Sequence, residues 1–153
     1  MSDTRRVVEQ FWQRMNANDF HAAGQLLHDD YVLEFPQSGE RLRGRDNFIT
    51  FNVEYPAAGP WSFAIHRLIV DGDNAVTEVT VSDTALSIPA ISFFEIRDGR
   101  IWRMTEYWPD PMDPLAARAS GRERRSVVVW RDAAGDGRYG VSGFAFACAS
   151  QAA

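Results

Sequence analysis

The sequence predicts an α+β fold in which N-terminal helices pack against an antiparallel sheet. Apolar residues recur at helical spacing in the first third of the chain, whereas between residues 61 and 108 they alternate along strands separated by short turns. The alternation stops after Trp108, where prolines and then arginines follow. We therefore expect one domain over residues 1–111 and a mostly disordered tail over residues 112–153.

Three helices are predicted ahead of the main sheet. The first, over residues 4–18, carries an apolar stripe at helical spacing. Asp19 can cap a second, shorter helix that we expect to run to about His28, before residues 31–36 take on the character of a strand. A third helix follows Asp46 and ends at the next proline.

A hairpin is predicted where DGDN separates two alternating strands, residues 61–70 and 75–82. The register that pairs Arg67 with Glu78 puts opposite charges together on one face of the sheet. His66 then lies on the other face, which is apolar. The face that carries the charge pair also holds apolar side chains that would suit a homodimer contact, namely Trp61, Phe63, Ile65 and Ile69.

The last hairpin turns at RDG and carries Glu106 on its second strand. A type I turn with Gly99 in a bulge pairs Ser92 with Met104 and is the register we expect. A two-residue turn would shift the pairing by one residue, which would move Ser92 to the opposite face from Glu106. The placement of Ser92 therefore depends on the turn.

Strand alternation puts Glu106 on one face with Trp102, Met104 and Trp108. A carboxylate among apolar groups is costly unless it is hydrogen-bonded or protonated. Glu106 is therefore either a general acid or base whose pKa is raised by burial, or a structural acid held by an indole, a hydroxyl or an arginine. His66 would transfer protons with it in the first case and would be a hydrogen-bonded core residue in the second.

Aromatic side chains are numerous for a domain of this size, and we expect some of them to line a pocket for a small apolar ligand. In most proteins such residues are simply core. Tyr31 or Tyr55 would hold a carbonyl or hydroxyl group, and Ser92 would orient the ligand or make room for it. The candidate ligand-binding residues are Trp12, Tyr31, Phe35, Phe51, Tyr55, Ser92, Phe94, Trp102 and Trp108.

The composition narrows the range of partners. A formal net charge of -5 argues against nucleic acid, and the absence of lysine excludes a lysine Schiff base and a Walker-type phosphate site. With a single cysteine, Cys148, and no apolar run of signal-peptide or membrane-spanning length, we expect a cytoplasmic protein with no membrane partner. His21 and His28 are spaced too widely for a helical metal pair, so we expect no metal. We also expect no organic cofactor.

The order of the motifs VVEQFWQRMNAND, HDDYVLEFP, GRDNF and FFEIRDGRIWRMTEYW resembles the nuclear transport factor 2-like superfamily, most closely its SnoaL-like branch. The resemblance covers residues 5–111 and implies a cone, in which a bent sheet wraps against the helices. Members of the superfamily include isomerases, dehydratases, epoxide hydrolases, polyketide cyclases and proteins that only bind ligands. The fold alone therefore does not select a chemistry.

Matching individual residues argues against two of these chemistries. Phe11 and Phe35 stand where the ketosteroid isomerase branch has its oxyanion tyrosine and its general base. Val79 and Val81 stand where the limonene epoxide hydrolase branch has an arginine and an aspartate. Only the third residue of that branch's catalytic set, an aspartate on the last strand, has an acidic counterpart nearby in this chain, Glu106.

SnoaL-like polyketide cyclases use acidic and histidine residues that line the cone, and Glu106 and His66 match these by location and type. The first hypothesis is therefore cofactor-independent acid-base chemistry, of isomerase, cyclase or hydrolase type, on a small apolar cyclic or carbonyl compound. The alternatives are a non-catalytic ligand-binding or regulatory protein and a dimeric assembly module.

Overall fold

The fold is seen in a computed structural model that describes residues 3–109, so the predicted tail and Cys148 lie outside the described residues. The helices are α1 (Asp3–Asn16), α2 (Phe20–Gly24) and α3 (Arg45–Glu54). The strands are β1 (Leu27–Phe35), β2 (Glu40–Arg43), β3 (Ser62–Asp71), β4 (Asn74–Ser82), β5 (Ser87–Arg97) and β6 (Arg100–Tyr107).

The strands form one curved, unclosed sheet in the order β2-β1-β6-β5-β4-β3, with the helices packed against its inner face. Neighbouring strands are antiparallel except β1 and β6, which run parallel, so the sheet is mixed. The predicted α+β cone is confirmed. No helix within residues 3–109 is long and apolar enough to cross a membrane.

Helix α1 buries the predicted apolar stripe against the sheet, and polar bonds fix both of its ends to the β3–β4 hairpin. At its start Thr4 Oγ1 donates to the Gly72 carbonyl at 2.9 Å, and at its end Asn16 Oδ1 accepts from the Phe63 amide at 2.8 Å. This anchoring holds Phe11 and Trp12 over the inner face of β4 and β5, where both contact the ring of Phe94.

The predicted end of the second helix is wrong, and one strand of the segment after α1 was not predicted. Asp19 does cap α2, because it accepts a hydrogen bond from the Ala22 amide at 2.9 Å, but the helix ends at Gly24 and His28 lies in β1. Leu27 is fully buried and pairs with β6, so burial in the sheet overrides the helical pattern there. Strand β2, which pairs with β1, lies in a segment that we did not predict to be a strand.

The predicted register of the β3–β4 hairpin is right near the turn, but a bulge between Ile65 and Arg67 inserts His66 and reverses the alternation before it. As a result Trp61 and Phe63, which we expected to face outward, pack against the core. His66, which we expected on the apolar inner face, is exposed, and its Nε2 lies 2.7 Å from Thr80 Oγ1.

The β5–β6 turn consists of two residues, Asp98 and Gly99, with positive φ angles of 51° and 69°. The type I turn that we expected is therefore wrong. A bulge in β6 then adds Trp102 and shifts the pairing once more, so that Ser92 lies directly opposite Glu106. The two irregularities compensate, and both side chains face the inner side of the sheet.

The outward face of the sheet is partly apolar. The Arg67 and Glu78 side chains form the expected pair on this face, with Nε 3.6 Å from Oε2. Large apolar side chains exposed on this face are Ile69, Ile91, Phe93 and Tyr107, which we call the outer patch. Ile65, which we expected on this face, is also exposed, but it lies before the bulge and pairs with the buried Val79, so it faces the other side.

Candidate functional site

Glu106 lies on the inner face of β6 with only 8% of its surface exposed. Its Oε1 accepts a hydrogen bond from Ser92 Oγ at 2.9 Å, and its Oε2 accepts one from Trp108 Nε1 at 3.2 Å. Ser92 reaches the carboxylate because it is the cross-strand neighbour, and Trp108 does so because it lies two residues further along the same side of the chain. The carboxylate is thus buried and oriented by two neutral donors.

Burial raises the pKa of Glu106 above its ordinary value of 4.5, although the hydrogen bonds from Ser92 and Trp108 lower it in part. Within residues 3–109 no arginine forms an ion pair with this carboxylate. Among the described residues Glu106 therefore has no cationic partner of the kind that a structural ion pair would supply. A carboxyl group whose pKa is moved toward neutrality is suited to both taking and giving a proton.

Tyr31 supplies a protonated hydroxyl in the same interior. It is 1% exposed, and its hydroxyl donates to Met104 Sδ at 3.1 Å. Burial and the negative charge of Glu106 both raise the pKa of Tyr31 well above 10.0, so the hydroxyl keeps its proton. Because a thioether is a weak acceptor, a ligand carbonyl would be a better partner for this donor.

The other predicted ligand-binding aromatics fall into two groups. Phe35, Phe51 and Tyr55 form a row of ring contacts with centroids 6.0 and 5.5 Å apart, and Trp61 extends the row at 5.7 Å from Tyr55. Burial raises the pKa of the half-buried Tyr55 to about 12, so it too is a donor at neutral pH. The second group is Trp12 and Phe94, which pack with Phe11.

Two of the predicted site residues lie on the outward side of the sheet, away from Glu106. Trp102 was expected on its face, but the bulge turns this ring outward, where the guanidinium carbons of Arg97 and Arg103 lie 3.5 and 4.8 Å from its centroid. His66 bonds Thr80 on the outward side, so the sheet separates it from Glu106. Both expectations failed because bulges break the strict two-residue period on which they relied.

Thr77 belongs to the inner surface, although we did not select it from the sequence. It is fully buried on β4, and it is the cross-strand partner of Ser92, which in turn faces Glu106. Three oxygen-bearing side chains thus lie side by side across β4, β5 and β6. A hydroxyl within the otherwise apolar row of Ala75, Val79 and Val81 was the signal available in the sequence. Among residues 3–109 no group of three or more His, Cys, Asp or Glu residues is arranged to hold a metal ion.

Comparison with known proteins agrees with this architecture. The family model described as the SnoaL-like domain matches residues 8–104. The chain belongs to the SnoaL-like domain family. Comparison of this SnoaL-like protein with curated protein sequences gave no match.

Solved structures share the fold over most of this SnoaL-like protein. A protein from Kribbella flavida, provisionally named a ketosteroid isomerase, is 30% identical and aligns over 84% of this chain and 94% of its own, with a TM-score of 0.76. An NTF2-like protein of unknown function from Burkholderia xenovorans is 28% identical over 81% of this chain and 96% of its own, with a TM-score of 0.68. An LEH-like epoxide hydrolase from M. tuberculosis is 28% identical over 70% of this chain and 83% of its own, with a TM-score of 0.60.

The stability of this SnoaL-like protein should depend on pH through Glu106. The folded state holds the Glu106 proton more tightly than the unfolded chain does. In the unfolded chain the pKa of Glu106 is near its ordinary value of 4.5. The buried acid therefore favours folding below that value, and the benefit is lost as the pH rises through the folded-state pKa. In urea titrations at a series of pH values, wild type should lose stability relative to Glu106→Gln over this window. A difference that stays constant, or grows in favour of wild type as the pH rises, would contradict a raised pKa.

Proposed function

We propose that this protein catalyses cofactor-independent proton transfer on a small, largely apolar cyclic or carbonyl compound, with Glu106 as the general base and acid. The observation that carries the proposal is the buried Glu106 carboxylate, which is held by two neutral donors and has a raised pKa. Such tuning of a carboxylate by an apolar environment is characteristic of enzymes that do acid-base chemistry near neutral pH.

The roles of the surrounding groups follow from their chemistry. Glu106 takes a proton from the carbon next to a carbonyl, and the electron pair of the broken C–H bond moves onto the carbonyl oxygen. Tyr31 donates a hydrogen bond to the negative charge that develops on this oxygen. Glu106 then returns its proton to a carbon of the ligand. Ser92 and Trp108 keep the carboxylate oriented, and each of its oxygens retains a lone pair for the transferred proton.

A second candidate function is ligand binding without catalysis. The observation that favours it is that Phe11 and Phe35, at the positions matched to known catalytic groups, are both buried in the apolar core. Neither phenyl ring can donate or accept a proton. On this hypothesis Glu106 would serve only to recognise a donor on the ligand.

Hydrogen exchange separates the two functions. A panel of cyclic ketones is incubated with the protein in D₂O, and loss of the protons next to the carbonyl is followed by NMR. Catalysis predicts exchange above the buffer rate for at least one ketone, together with its loss in Glu106→Gln. Ketones that perturb the protein spectrum without exchanging would support the binding function, and they would overturn the catalytic one.

We further propose that the protein forms a homodimer through the outer patch. Phe93 is 48% exposed and Ile69 is 55% exposed, and a two-fold axis would pack this apolar face of one copy against the same face of a second. Wild type should sediment as a dimer at micromolar concentration and Phe93→Ser as a monomer. A monomeric wild type would overturn the dimer. The cytoplasmic location stays a prediction of the sequence.

A further inference from the structure

Two buried polar atoms on the inner side of the sheet are not used by the Glu106 site. Thr77 is fully buried and Trp12 is 3% exposed, yet neither Thr77 Oγ1 nor Trp12 Nε1 has a hydrogen-bond partner among the described residues. Burying such groups unpaired costs free energy, and native structures leave few of them. A bound ligand that offers an oxygen to this interior surface would satisfy both the hydroxyl and the indole N–H.

The fold brings these two side chains to the same part of the interior. Trp12 packs on Phe94 of β5 and Phe63 of β3, with ring centroids 6.1 and 5.6 Å apart. These two strands flank β4. Phe94 pairs with Ala75 of β4 and Phe63 pairs with Val81, and Thr77 lies between these two β4 residues. The Trp12 ring is therefore held between the two strands that flank β4, over the stretch from Ala75 to Val81 that includes Thr77.

We propose that Trp12 Nε1 and Thr77 Oγ1 form a second polar subsite that binds one neutral oxygen of the ligand. The substrate class is then a compound with two oxygen functions, a carbonyl processed at Glu106 and a hydroxyl or second carbonyl held by this subsite. The role of the carbonyl at Glu106 rests on the proposed function, whereas the subsite itself rests only on the two unpaired atoms.

The chemistry of the two groups defines the ligand atom. The indole N–H only donates, so the ligand must offer an acceptor there, and the threonine hydroxyl can donate or accept. A ligand hydroxyl would accept from Trp12 and donate to Thr77, whereas a carbonyl oxygen would accept from both. Among the buried residues of the described chain Glu106 is the only charged one, so none of these residues is a cation that would favour an anionic ligand group.

The test compares α-tetralone, which has one oxygen, with its hydroxytetralones, which add a phenolic hydroxyl at different ring positions. Binding is followed in the intact protein by the indole N–H resonances of the five tryptophans, with Trp12→Phe identifying the Trp12 signal. At least one hydroxytetralone should bind about 3- to 10-fold more tightly than α-tetralone, the range for one neutral hydrogen bond. The Trp12 signal should shift with that compound and not with α-tetralone.

Variants of similar shape show whether the two side chains hold the same oxygen. Thr77→Val should abolish the preference for the hydroxylated compound, whereas Thr80→Val, on the outward side of the same strand, should retain it. Trp12→Phe and Thr77→Val should each remove the preference, and the double variant should lose no more than either single one. Because Thr77→Val keeps the shape of the side chain, it decides the matter even if Trp12→Phe does not fold.

The subsite and the proposed function can fail separately, because the Glu106 carboxyl carbon is observed in the same samples. If that carbon responds to the ketones but no hydroxytetralone is preferred, the subsite is overturned and the function stands. If the Trp12 signal responds and the Glu106 carbon does not, the subsite stands and the function at Glu106 is overturned. A lack of binding by every compound overturns both for this substrate class.

Discussion

Glu106→Gln should lower kcat for proton transfer by about a hundred- to ten-thousand-fold, the usual contribution of a positioned general base. Glutamine has nearly the same size and can still accept the Ser92 hydrogen bond, but it cannot take up a proton. The effect should therefore fall on kcat, with KM changed little, because ligand contacts outside the carboxylate remain. The rate at which the protons next to the carbonyl exchange with D₂O, measured at saturating ketone, would give kcat for both proteins.

The matched control is Glu78→Gln, which removes a carboxylate from the neighbouring β4 strand on the outward face. This variant should retain wild-type turnover, because its side chain pairs with Arg67 on the side away from the site. Unchanged turnover in Glu106→Gln would remove Glu106 from the mechanism. Equal losses in the two variants would point to a general effect of charge on the protein.

Phe11→Ala should lower the free energy of unfolding by about 3–5 kcal/mol, the range for removing a buried aromatic ring. Phe11 is 1% exposed and its ring lies 5.2, 5.9 and 5.8 Å from those of Trp12, Phe48 and Phe94. It thus joins two helices to the sheet, and its removal leaves a cavity at their junction. Total stabilities are about 5–15 kcal/mol, so the variant should be marginally stable in urea denaturation.

Val53→Ala on α3 provides the control, because Val53 is 56% exposed. It should change the free energy of unfolding by no more than about 0.5 kcal/mol. A loss below about 1 kcal/mol for Phe11→Ala would mean that the surrounding rings close the cavity. It would also mean that Phe11 does not fix α1 over the inner surface.

Much of the fold could be predicted because its main signals are local and periodic. The apolar stripe of α1 and the alternation along β4 follow directly from side-chain geometry. The Arg67 and Glu78 charge pair fixed the register next to the β3–β4 turn, because opposite charges stabilise a cross-strand pair.

The bulges could not be predicted, because an added residue leaves no mark in the composition of a strand. In β3 the inserted His66 reversed the sides of Trp61 and Phe63. In β6 the inserted Trp102 cancelled the shift caused by the two-residue turn. A single irregularity reverses every assignment on one side of it, so predicted faces are least secure far from the turn that sets the register.

The candidate site was predictable in its centre and not in its surroundings. Glu106 and Ser92 were identified from the sequence, although their contact depends on a register that the sequence did not favour. Trp108 was placed on the correct face, and its bond to Glu106 follows from the two-residue spacing. The sequence shows Thr77 as a hydroxyl in an apolar row, but that its hydroxyl is buried without a partner is a property of the tertiary structure.

The most direct test of a buried, proton-transferring Glu106 is its pKa, measured by carboxyl-carbon NMR titration of wild type with Glu106→Gln to assign the signal. The geometry predicts a value above the ordinary 4.5, because burial outweighs the hydrogen bonds from Ser92 and Trp108. A ketone bound in the interior should raise it further by excluding water from the carboxylate. A pKa at or below 4.5 that ligands do not alter would contradict this account and make Glu106 a structural acid.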